Sequence, residues 1–74
     1  MQTIGERVRW AREKRKFSCA GVDEIAGLSC GHTAMIESGT RERPSATTMS
    51  KLAYALQVDL SWLINGGKQP RISA

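Results

Sequence analysis

The 74-residue sequence predicts an all-α fold of five short helices. Three observations predict it. Apolar residues recur at three- and four-residue spacings through the periodic stretches, as one face of a helix requires. Ser, Thr or Asp stands at the head of each stretch, where a side-chain oxygen can take the free amides of a first turn. β-branched residues never alternate long enough to build a strand.

The elements follow in order. Thr3 and Glu6 form a T-x-x-E capping box, so the first helix begins near Ile4 and runs to about Lys16 on an Ile4–Val8–Ala11 stripe. Trp10 falls about 120° around from Ile4, and partial burial against the chain's other end is expected of it. Phe17 leaves the helix as an anchor into the core. Ser18 caps a second helix, Cys19 to Ala26, with Val22, Ile25 and Ala26 on one face, and Gly27 supplies the left-handed stop. Leu28 is expected as a buried plug in the turn and Ser29 as the next cap. A third helix then runs from Cys30 to about Ser38 with Thr33, Ile36 and Glu37 inward. Gly39 to Pro44 is a polar loop that no helix crosses. Ser45 caps a fourth helix, about Ala46 to Gln57, with Met49, Leu52, Ala53 and Leu56 at core spacing. Asp59 caps a fifth, Leu60 to Asn65, contributing Leu60, Leu63 and Trp62. Gly66-Gly67 ends it, so the domain is expected over 1–67 with a tail at 68–74.

A chain of this length has room for one small core. Two cysteines and one histidine give neither a disulfide scaffold nor zinc-finger spacing. Cys19, Cys30 and His32 would lack a fourth metal ligand, so no metal is expected. With no base beside a nucleophile and no phosphate-cradling glycine loop, the sequence predicts no enzyme, no cofactor and no small-molecule ligand. No apolar run approaches the ~20 residues of a membrane span. The N-terminus does not resemble a signal peptide, and a cytoplasmic protein is expected.

The net charge is +4, which favours acidic partners. Arg7, Arg9, Arg12, Lys14, Arg15 and Lys16 stand against the single acid Glu13, and Arg41 and Arg43 follow the third helix. A lone charge run is usually a solvated face. Here the runs flank helix, glycine turn, helix within Cys19–Ser38, the pattern of a helix-turn-helix whose second helix enters the DNA major groove. That juxtaposition reads as a nucleic-acid footprint.

The segments IGERVRWAREKRKFS, GLS, IESG, then RPS and KLAYALQVDLSWLINGG, in that order over roughly 4–67, resemble the lambda-repressor-like (Cro/CI, or XRE-type) domain of phage and bacterial regulators. The resemblance implies a five-helix bundle that binds double-stranded operator DNA as a homodimer, with the third helix in the major groove. By position it implies that Cys30, Gly31, His32 and Met35 face bases, and that Cys19, Ser38, Thr40, Arg41 and Arg43 hold phosphates. It implies a buried ion pair between Arg12 and Glu37, and dimer contacts near Trp62, Leu63 and Ile64. The sequence departs from the family at Cys19 and Cys30, where a long polar residue is common. It departs again at Asp23 and Thr33, where apolar residues are usual and where a mutual hydrogen bond is expected. The two thiols are expected side by side at helix N-termini, with raised reactivity. The expected function is a repressor at a palindromic operator. A protein-interaction module of the same fold, an autoregulating antitoxin and a restriction–modification controller are the alternatives.

Overall fold

A computed structural model describes residues 3–39 and 44–68. It contains α1 (Ile4–Lys14), α2 (Cys19–Ala26), α3 (His32–Ser38), α4 (Ala46–Leu56) and α5 (Leu60–Asn65), with no strand among the described residues. Four helices start on a side-chain oxygen that accepts from the amide three residues ahead. Thr3 takes the Glu6 amide at 3.1 Å, and the Glu6 carboxylate returns to the Thr3 amide at 3.1 Å, closing the capping box. Ser18, Ser45 and Asp59 cap α2, α4 and α5 through Gly21, Thr48 and Trp62.

The ends are set by backbone conformation. Gly27 closes α2 at a φ of 72°. α1 stops at Lys14, two residues short of expectation, because Lys16 takes a φ of 60° that no right-handed helix can continue. Gln57 likewise stands at a φ of 54°, so α4 ends at Leu56.

α4 is the central element, with Leu52 and Leu56 wholly buried. α1 packs on α3, α4 and α5, while α2 packs on α3 and α4. Val8, Val22, Ile36 and Leu63 bring the other four helices into one core. Trp10 meets the far end of the chain, its ring edge-on to Trp62 with centroids 5.5 Å apart. Such a pair adds to area burial through the opposed edge and face charges of the rings.

Two expectations about burial are corrected. Ile25 is 48% exposed. The buried arc of α2 runs from Val22 through Ala26 to Asp23, which leaves Ile25 about 60° outside it. Leu60 is exposed at the head of α5, whereas Trp62 and Leu63 are buried within the single chain. Side chains already enclosed by their own core have little surface to offer a second subunit. No helix of the described residues is long and apolar enough to cross a membrane.

Candidate nucleic-acid interface

The helix-turn-helix is tied together by one buried carboxylate. Asp23, on α2, is 4% exposed. Its Oδ1 accepts from the Thr33 hydroxyl at 2.6 Å and from the Thr33 amide at 2.8 Å, while Oδ2 accepts from the Gly31 amide at 2.9 Å. The expected Asp23–Thr33 bond is therefore one of three. α3 begins at His32 rather than Cys30, because Gly31 takes a φ of 85° at the N-cap and has no side chain to cap with. Ser29 makes no cap, and Cys30 lies in the turn, exposed, over a shallow hollow shared with Ala20, Glu24 and Leu28.

A second tie joins α3 to α1. Arg12 donates to both Glu37 oxygens, at 2.6 and 3.0 Å, and to the Phe17 carbonyl at 2.9 Å. The fork geometry matches the carboxylate plane, so the pair orients the two helices. The hydrogen bond to Glu37 raises the Arg12 pKa against the opposing pull of burial. Cys19 joins the group by donating its thiol to Glu37 Oε2 at 3.6 Å. Burial pushes the Cys19 pKa up, the Glu37 charge adds to this, and Arg12 opposes it. The activated thiolate expected at the head of α2 is thereby corrected: a half-buried thiol facing a carboxylate keeps its proton.

The inner side of α3 is committed to Thr33 and Ile36, with Glu37 half-buried in the ion pair. Met35, 39% exposed, and Ala34 face outward beside a half-buried His32. Ala34, which sequence motifs do not mark, takes its place one residue before Met35 on the outer arc from helical period alone. Ser38 is exposed at the end of α3, with its hydroxyl donating to the Met35 carbonyl at 3.0 Å. Cys19 is half-buried and bonded to Glu37, and Gly31 belongs to the turn. Thr40, Arg41 and Arg43 lie outside the described residues.

The basic run of α1 needs the largest revision. Arg7 is 4% exposed and donates to the Leu63 and Ile64 carbonyls at 2.8 and 2.7 Å, in the last turn of α5. Arg15 donates to the Leu56 carbonyl at 2.7 Å, the end of α4. Such carbonyls have no intrahelical partner, and a guanidinium satisfies them while opposing the negative end of the helix dipole. Together with Arg12, three of the six cations read as a footprint are engaged by the fold itself. Of the rest, Arg9 pairs with Glu13 at the surface, Lys14 lies 5.9 Å from the Trp10 ring centre, and Lys16 is exposed. No cluster of three or more His, Cys, Asp or Glu among the described residues is placed to hold a metal.

The family described as a helix-turn-helix domain matches residues 5–68. The chain is 34% identical over 64 residues to the HTH-type transcriptional repressor RghR of Bacillus subtilis (strain 168), covering 86% of this chain and 47% of RghR. It thus spans about half the length of that relative. The P22 c2 repressor protein in complex with synthetic operator 9T superposes with a TM-score of 0.81 at 30% identity, over 90% of this chain and all of that one. The restriction-modification controller protein C.AhdI from Aeromonas hydrophila gives a TM-score of 0.77 at 28% identity, over 82% of this chain and 91% of its own.

Proposed function

Because the chain belongs to the lambda-repressor-like helix-turn-helix family, we propose that it is a sequence-specific DNA-binding transcriptional regulator, a repressor that binds a palindromic operator as a homodimer. One observation carries the reading. α3 is fixed on its inner side by Thr33, Ile36 and the Arg12–Glu37 pair, and the opposite side presents Met35 and Ala34 beside His32. A short helix anchored behind and open in front is what insertion into a major groove requires.

In this reading His32 hydrogen-bonds a base edge or phosphate, and Met35 and Ala34 pack on thymine methyls. Cys30 and Gly31 precede α3, so they enter the groove as turn backbone rather than as helical side chains. Ser38, Thr40, Arg41 and Arg43 hold phosphates, and their contribution is independent of base sequence. The dimer contact passes to Ile64, half-buried, and to the exposed Leu60 one turn before it on the same face. A protein with these partners works in the cytoplasm. The similarity to a restriction–modification controller favours that role as a second reading within the same class.

Selection of bound duplexes from a random pool tests the proposal. The expected product is one two-fold symmetric consensus, bound with an affinity that falls steeply with salt. Arg41→Ala and Arg43→Ala should each lower affinity for every sequence and flatten the salt slope by about one unit. Enrichment of no sequence, with no salt-dependent binding to any duplex, would refute it.

A further inference from the structure

We infer that Asp23 is a positioning residue for base recognition: from α2, its carboxylate sets where α3 begins and so which side chains meet the DNA. The inference rests on the DNA-binding reading above. α3 has no side-chain cap of its own. Both donors of Thr33 and the amide of Gly31 end instead on Asp23, across eight to ten residues of sequence. At 4% exposure that carboxylate is shielded from water, which would otherwise compete for the same donors.

Gly31 is the second half of the device. Its φ of 85° strains any residue with an L side chain, yet a Cβ there would meet nothing within 4 Å. The glycine is thus required by conformation and not by space. In that conformation the Gly31 amide reaches Asp23, while its carbonyl accepts the Met35 amide at 3.0 Å, within the first turn of α3. His32 lies between the two residues that Asp23 holds. A displacement at Gly31 therefore reaches both His32 and Met35.

The test compares binding of a duplex selected with the wild-type protein against a scrambled duplex, well below each protein's melting midpoint. Asp23→Asn keeps the size of the side chain but turns one acceptor into a donor that faces an amide. It should narrow the ratio of the two affinities on the order of ten-fold, with the salt slope unchanged because phosphate contacts remain. Thr33→Val, which removes one bond and leaves both amide bonds, should narrow it less. Gly31→Ala strains the turn without altering the carboxylate and should narrow the ratio as Asp23→Asn does. It keeps the inference testable should Asp23→Asn fail to fold. A cap with a merely structural role would lower melting temperatures yet leave the ratio of the folded variants at the wild-type value, and that result overturns the inference alone. Wild-type protein that prefers neither duplex would overturn the DNA-binding reading itself, and this inference with it.

Discussion

Gly5 lies where α1 crosses the end of α3 at backbone contact. A Cβ at that position would lie 2.5 Å from the Ile36 carbonyl oxygen, 3.0 Å from that of Glu37 and 3.2 Å from the Glu37 Cα. All three atoms are backbone, so no side chain can rotate away and the helices must separate. Alanine recovers about 1 kcal/mol of helix propensity. Overpacking costs about 1–3 kcal/mol, and a contact as close as 2.5 Å against rigid backbone belongs at the upper end. The displacement also falls on the residue whose carboxylate holds Arg12 at 2.6 and 3.0 Å. Gly5→Ala should therefore destabilise by about 2 kcal/mol net, a fall in Tm of roughly 8–16 °C for a domain of this size. Thermal unfolding followed by far-UV circular dichroism measures it. Gly21→Ala, whose Cβ would meet only the Ser18 hydroxyl at 3.2 Å, is the control and should change Tm less. The reasoning fails if Gly5→Ala melts no lower than Gly21→Ala.

Arg7→Ala orphans the Leu63 and Ile64 carbonyls and should cost about 3 kcal/mol or more, since hydrogen bonds from a charged group contribute about 1.5–3 kcal/mol each; urea unfolding of the variant at the wild-type midpoint would return Arg7 to a surface role. Glu37→Ala leaves the Arg12 guanidinium largely buried without its carboxylate, at a cost of about 3–5 kcal/mol, whereas the joint change Arg12→Met with Glu37→Leu should cost much less. A double-mutant cycle with no coupling would contradict this. At neutral pH a thiol reagent should label the exposed Cys30 well before Cys19, whose raised pKa leaves less thiolate. Raising the pH or introducing Glu37→Gln should speed Cys19, and equal rates for the two thiols at neutral pH would count against the Glu37 contact. Ile64→Glu should yield monomers in sedimentation with weakened operator binding, and an unchanged mass would remove α5 as the dimer surface.

Four of the five helix starts were legible because their caps close within three residues: Thr3 on Glu6, Ser18 on Gly21, Ser45 on Thr48 and Asp59 on Trp62. The core stripe of α4 was legible for a related reason, since a helix repeats its inward face every three or four residues whatever it packs against. The resemblance to a family motif supplied the Arg12–Glu37 pairing, which no local pattern carries. The start of α3 was misplaced because its cap lies on another helix. A serine at position 29 satisfies the local rule, but a buried carboxylate eight residues upstream of Gly31 takes the Gly31 amide instead.

The arginines of α1 and its C-cap separate what sequence decides from what tertiary structure decides. By itself the sequence determined that this segment is helical, strongly basic and capped at Thr3. Apart from the Arg12–Glu37 pair that the family resemblance implied, it could not determine where the charge goes. Arg7, Arg12 and Arg15 find their partners 56, 25 and 41 residues away. Those partners exist as acceptors only once α4 and α5 have ended and exposed their last carbonyls, and once α3 has placed Glu37 against α1. Local hydrogen bonds are written in spacing, whereas the destination of a long cationic side chain is set by whichever unsatisfied acceptor the fold brings within its reach.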